Sequence, residues 1–223
     1  MTFRVALTFD AEHPDRPAAF GNVDRLLDAL EAVAVRATFF VQGRWAEAHP
    51  RAARRIGRDG HLVGSHSHYH ARMPLLSRSG FDADVRHAQA AIAEHAEVDP
   101  RPWFRLPFGA GGMDQRILAR LADLGYEAVG WNVTSEDWEP ERSAADIVRI
   151  VVDGAAERGD GAVVLQHTWP DQTLAAIGDI VRRLRDIGGS FVTVDAFDEL
   201  PEDLVGYGSA LPRPFPLPAA EPA

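Results

Sequence analysis

Three of the chain's nine histidines fall within five residues, His66-Ser67-His68-Tyr69-His70. His66 and His70 stand four apart, the spacing that puts two side chains on one face of a helical turn. Two neutral imidazoles and a carboxylate from elsewhere can hold a transition metal and leave one coordination position open for water. That is the layout of a catalytic rather than a structural zinc site. An isolated His-x-x-x-His also occurs in plain polar loops, so the reading depends on what the other segments bring to it.

Those segments alternate between strand-like and helix-like patterns. Strand-like runs are expected at Phe3–Phe9, Ala37–Val41, His61–Ser65, Trp103–Leu106, Ala128–Trp131, Ala162–Leu165 and Phe191–Val194. Between them lie helical patterns at Asn22–Ala34, with apolar residues at Val23, Leu26, Leu27, Leu30 and Val33, at Arg44–Arg58 with a break at Pro50, and at Ser79–Ala96. Further helices are expected at Met113–Leu124, Ser143–Glu157 and Asp171–Ile187, the second with a Ser143 cap and Asp146 three residues on. Seven strands alternating with helices predict a parallel α/β sheet. At this length a closed barrel related to the (β/α)8 type is favoured over an open doubly wound sheet, and no Gly-rich dinucleotide loop follows the first strand.

In such barrels the chemistry sits at the C-terminal strand ends. The first strand ends at Asp10, with Glu12 and His13 behind it, and the third at His66 and His70. The fourth carries Arg105, the fifth runs on to Asn132, Glu136, Asp137 and Trp138, and the sixth ends at Gln166-His167. Together these residues describe hydrolysis of an amide or ester. His66 and His70 supply nitrogen ligands and a carboxylate near Asp10 supplies oxygen. Metal-bound water is acidified to a pKa near roughly 7. A second carboxylate takes its proton, Arg105 holds that carboxylate, and His167 protonates the leaving group. The metal and a backbone N–H stabilise the oxyanion.

Composition narrows the field. The chain has 223 residues, 46% hydrophobic and 25% charged, which suits a globular domain. The net charge of -10 argues against nucleic acid as a partner. All 23 basic residues are arginine, which rules out a catalytic lysine, and there is no cysteine, which rules out disulfides and thiolate metal sites. No apolar run approaches the roughly 20 residues of a membrane span. No signal-peptide pattern opens the sequence, so a cytoplasmic location and no membrane partner are expected.

In order along the chain, five motifs resemble those of the polysaccharide deacetylases of carbohydrate esterase family 4, the NodB-homology domain. They are Thr8-Phe9-Asp10-Ala11-Glu12, His66-Ser67-His68-Tyr69-His70, Arg105-Leu106-Pro107-Phe108-Gly109, Trp131-Asn132-Val133-Thr134-Ser135-Glu136-Asp137-Trp138 and Leu165-Gln166-His167. The resemblance covers roughly residues 2–200. It implies a distorted (β/α)7 barrel in a single catalytic domain over 1–205; the Pro/Ala-rich composition of 206–223 predicts an irregular tail after it. It implies a metal-dependent hydrolase that removes an N-acetyl or O-acetyl group from an acetylated sugar or polysaccharide by attack of a metal-bound water.

The resemblance assigns Asp10 as base, Arg105 as the group positioning it, His167 as general acid and the Phe108 N–H as oxyanion donor. His66 and His70 become metal ligands. The family's usual second Asp is replaced by Ala11, and Glu12, one residue later, takes the ligand role. Thr134 stands where an Asp often supports the acid histidine, a departure that bears on the tuning of His167. Zinc is the expected metal, with cobalt, nickel, manganese or iron also suited to such a donor set. Trp131 and Trp138 are expected to meet the sugar, and Trp169 to wall the pocket. His68 is read as structural or surface, His13 as lining the mouth, and Arg51, Arg54, Arg55 and Arg58 as a solvated helix face. Alternative readings are an amidohydrolase of this fold acting on a small non-sugar amide, and a catalytically degenerate member that only binds its ligand.

Overall fold

The structure, a computed structural model, describes residues 2–13 and 21–197. The tail expected over 206–223 and the last residues of the domain expected over 1–205 lie outside the described residues. The elements follow the order β1 (Phe3–Ala11), α1 (Asn22–Ala32), β2 (Thr38–Val41), α2 (Gly43–Ala48), α3 (Pro50–Arg58), β3 (Leu62–Ser65), α4 (Arg78–Ala96), β4 (Trp103–Phe104), α5 (Gln115–Asp123), β5 (Glu127–Ala128), β6 (Val133–Thr134), α6 (Ala144–Arg158), β7 (Ala162–His167), α7 (Asp171–Asp186) and β8 (Gly189–Phe191).

All pairings are parallel, in the order β5-β4-β3-β2-β1-β7-β6, with β8 against the first residues of β1. The sheet curls into a distorted (β/α)7 barrel. Neighbouring strands lie about 4.8 Å apart, so in a flat sheet β4 and β1, with β3 and β2 between them, would stand beyond the reach of one side chain. Arg105, just past β4, nevertheless donates to Thr8 Oγ1 on β1 at 2.7 Å. The concave side holds a small cluster, Ala6, Phe40, Val129, Val163, Val194 and Phe197. The larger core lies outside, between sheet and helices, where Leu26, Leu27 and Leu30 of α1 meet Phe9, Phe39 and Val164. Each such fully buried side chain contributes about 1.5–3 kcal/mol.

Local signals set the boundaries. Pro50 opens α3 where its missing N–H costs nothing. Ser143 and Asp146 form a reciprocal capping box at α6. Arg55 of α3 binds Asp24 and Asp28 of α1 as well as Asp59, so this member of the arginine cluster bridges two helices rather than standing in solvent.

Of the single strand expected at Ala128–Trp131, only Ala128 lies in a strand, at the end of β5, and a separate short strand, β6, follows at Val133–Thr134. Ala128 pairs with Phe104, whereas Val133 pairs with Val164. Asn132, between the two, fastens the chain to β7: its side chain donates to the Gly161 carbonyl at 3.0 Å and accepts from the Val163 N–H at 2.8 Å. One segment therefore runs from one edge of the sheet to the other and draws the barrel together.

Candidate active site

β1 sets the first carboxylates by simple alternation. Phe9 and Ala11 point outward into the helix-covered core, and Phe9 stacks on Phe39 at 5.2 Å. Thr8 and Asp10 face the concave side. Because β1 stays paired through Ala11 opposite Val41, position 11 cannot reach the mouth, and Glu12 returns to Asp10's side.

His66 and His70 converge on Glu12, though not on a helix as their spacing suggested. The chain past β3 is a tight turn with Ser67 and His70 at φ 63° and 55°. Its backbone is held from outside: Gly43 N–H donates to the Ser67 carbonyl, and the Asp84 carboxylate on α4 accepts from His68 N–H at 2.9 Å and Tyr69 N–H at 3.0 Å. Ser67 Oγ accepts from His70 N–H. The two rings come to 4.9 Å. His68 turns away, buried and edge-on to His87.

Glu12 Oε2 lies 3.2 Å from His66 Nε2 and 2.5 Å from His70 Nε2. The donor atoms of these three buried residues all lie within 4.8 Å of one another. His66 Nδ1 sits 2.8 Å from the Arg105 carbonyl, which can only accept. That bond keeps the proton on Nδ1 and aims Nε2 into the cluster. Burial raises the Glu12 pKa, but hydrogen bonds from His66 and His70 and the nearby His167 outweigh it and hold the carboxyl well below its usual range. Burial pushes His70 down, toward the neutral ring that ligates. For His66, burial is outweighed by Asp10 and Glu12, and its pKa rises. Two imidazole nitrogens and a carboxylate oxygen, buried and convergent with no thiolate, are a donor set that fits a divalent transition metal.

Asp10 stands beside this cluster, with Oδ2 3.5 Å from His66 Nε2. Arg105 holds its other oxygen, Oδ1, at 2.9 Å. The guanidinium is fully buried and satisfied by Thr8 Oγ1 and the carbonyls of Val129 and Gly130. It stacks 4.0 Å from the Phe40 ring.

The opposite wall is His167. Its Nδ1 lies 2.7 Å from Asp137 Oδ1, while Asp137 Oδ2 accepts from His167 N–H at 2.7 Å and from Thr173 Oγ1 at 2.6 Å. Burial opposes charge on His167, but Asp137, by its charge and its hydrogen bond, pushes the pKa up to about 9, with help from Glu12 and Asp10. The group supporting His167 is therefore Asp137 and not residue 134: Thr134 sits in β6 opposite Leu165, and the loop beyond it folds Asp137 back. Asp137 was legible as an acid of the mouth but not as this partner. Thr173 and Asp84 carried no sequence signal, because each acts from a helix on a group distant in the chain, Thr173 on the Asp137 carboxylate and Asp84 on the His68 and Tyr69 N–H groups.

His167 Nε2 lies 3.8 Å from Glu12 Oε1, so Asp10, Glu12 and His167 form a second close group sharing Glu12 with the first. Trp138 and Trp169 flank His167 at 5.5 and 5.7 Å. On the other side Phe108, at φ 55° and 46% exposed, packs its ring 4.4 Å from His70 and 4.4 Å from the Arg72 guanidinium. Trp131 lies lower, with the inner cluster and 5.6 Å from Arg105. His13 lines the mouth, its Nε2 3.3 Å from Glu12 Oε1.

A sequence model of the polysaccharide deacetylase family matches residues 2–129. The chain belongs to that family. It is 32% identical over 192 residues to the peptidoglycan-N-acetylglucosamine deacetylase PgdA of Listeria monocytogenes, covering 86% of this chain and 38% of that protein. It thus spans well under half of that relative. It is 31% identical to the chitin deacetylase of Colletotrichum lindemuthianum, covering 89% of this chain and 81% of that one. Among solved structures, the family 4 carbohydrate esterase from Streptomyces lividans in complex with acetate superposes with a TM-score of 0.74 at 34% identity, over 86% of this chain and 93% of the esterase. For a polysaccharide deacetylase, the departure at Ala11 is local: β1 ends there, and an acid, Glu12, stands one residue further on.

Proposed function

We propose that the chain is a metal-dependent hydrolase that removes N-acetyl groups from an acetylated glycan. The observation carrying this reading is the shared Glu12, which joins a three-donor metal cluster to a proton-bearing His167 across 3.8 Å. Glu12, His66 and His70 would hold the ion. A divalent metal there supplies Lewis acidity, lowering the pKa of water and polarising the acetyl carbonyl.

The chain's own groups do the rest. Asp10, with one oxygen fixed by Arg105 and the other facing the cluster, accepts a proton from the attacking water. The Phe108 backbone N–H serves the oxyanion. His167, charged at neutral pH, delivers its proton to the amine nitrogen as the carbon–nitrogen bond breaks, so acetate and a free amine leave. Asp137 keeps the imidazolium formed and oriented. Trp138, Trp169 and Phe108 line the walls where a sugar ring would lie.

The names of the relatives point to chitin or peptidoglycan glycans as the substrate class. The test is acetate release from an N-acetylglucosamine oligomer by protein stripped of metal and then reloaded with zinc. Acetate released only after reloading supports the reading. Release that ignores metal contradicts it, and turnover of small cyclic amides in place of the glycan would move the substrate to a non-sugar amide.

A further inference from the structure

Gln42 follows β2 and is only 3% exposed. It occupies the N-cap position of α2, yet its side chain makes no hydrogen bond to that helix. It turns the other way. Its Oε1 accepts from the His13 N–H at 2.8 Å, while its backbone N–H donates to the Ala11 carbonyl at 2.9 Å. The orientation of the amide is fixed, because a backbone N–H can only donate and must face the oxygen.

Those two contacts bracket Glu12. The Ala11 carbonyl belongs to the peptide plane before the Glu12 Cα, and the His13 N–H to the plane after it. One residue thus pins both planes, at the point where the chain leaves the sheet and His13 adopts φ 53°. A non-glycine residue in that region is held there by its surroundings. The backbone half of the clamp survives any substitution at 42, but the side-chain half does not.

We infer that Gln42 is a positioning residue for the metal centre: its side chain fixes the turn that lets an acid at position 12 do the ligand's work when position 11 faces the core. The inference rests on the reading of Glu12 as a ligand given above. Groups one step behind a ligand typically tune metal affinity by roughly 10- to 100-fold.

The test is zinc affinity by chelator competition, with the visible spectrum of the cobalt-loaded protein alongside. The variants are Gln42→Met and Gln42→Ala, which lack the side-chain oxygen that accepts from His13, and Gln42→Glu, which keeps one. Loss of affinity by roughly 10- to 100-fold in Met and Ala, with an altered cobalt spectrum, an apoprotein that melts within about 3 °C of wild type and recovery to within about fivefold in Glu, is the expected result. Either folded loss variant binding zinc like wild type, Glu failing as badly as Met and Ala, or both loss variants failing to fold, overturns the inference while leaving the metal reading intact. A wild-type protein that binds no zinc, matching a His66→Ala control, overturns the metal reading and the inference with it.

Discussion

Two buried histidines at opposite ends of the strands have been driven in opposite directions. His61, just before β3 and 6% exposed, accepts the Ala37 N–H on Nδ1 at 3.1 Å and lies edge-on to Phe39. Burial, with Arg36 nearby, pushes its pKa down to about 4. His167, at the end of β7 and 8% exposed, points the same nitrogen at a carboxylate, and its pKa rises to about 9. Residue type and exposure are alike, so the surroundings decide: His61 has burial, an arginine nearby and a backbone N–H that occupies its Nδ1 lone pair, whereas at His167 the Asp137 carboxylate, with Glu12 and Asp10 beyond it, outweighs burial.

The two ends differ in backbone as well. Of seven non-glycine residues with positive φ among the described residues, His13, Ser67, His70, Phe108 and Glu136 lie at the mouth, while Ala34 and Glu97 lie at or just past helix ends. Such conformations cost about 1–3 kcal/mol each. The lower end holds its histidine for stability, and the upper end holds strain and charge where the chemistry is placed.

The largest effect is expected where the upper end loses its base. Asp10→Asn should lower kcat by about 10²–10⁴-fold with metal content unchanged by elemental analysis. Full activity in that variant would remove Asp10 from the mechanism. Next is the partner of the charged histidine. His167 must be protonated to act as acid, so kcat/KM should hold through neutral pH and fall as pH rises through about 9. Asp137→Asn should move that alkaline limb toward the unperturbed value near 6.5 and lower kcat by about 10²-fold or more. An unmoved limb would show that the contrast between the two histidines does not come from their partners.

The lower end should answer in stability alone. His61 is depressed in the fold, so the unfolded chain takes up its proton first. Its contribution is complete above pH about 6.5 and is lost as pH falls toward about 4, by at most about 1.4 kcal/mol per pH unit. His61→Asn, which keeps an acceptor for Ala37, should flatten that slope in denaturant melts without changing kcat. A smaller effect is expected at Ser143→Ala, which breaks the α6 capping box and should cost about 1 kcal/mol, again with kcat unmoved.

Much of the site was legible because strand ends carry it. Asp10, His66, Arg105 and His167 end strands or follow them directly, and the period of two places Glu12 beside Asp10 once Ala11 is known to stay in the sheet. His66 and His70 were legible as a pair, but for a helical spacing the chain does not use. Two residues at positive φ and the Asp84 carboxylate fold that turn, and no periodic pattern encodes them. Asp137 replaces position 134 as the support of His167 because the loop after β6, with Glu136 at φ 53°, brings it back. The switch from β5 to β6 was not legible, because the apolar run Ala128–Trp131 lies mostly between the two short strands and only the pairing partners, Phe104 for Ala128 and Val164 for Val133, separate them.

Elemental analysis of the purified protein beside His66→Ala and Glu12→Ala tests whether Glu12, His66 and His70 hold a metal. The wild type should carry about one equivalent of divalent metal, as expected of a single three-donor site, and both variants should lose it. Metal retained in Glu12→Ala would return the carboxylate's place to Asp10. No metal in wild type after reloading would contradict the claim.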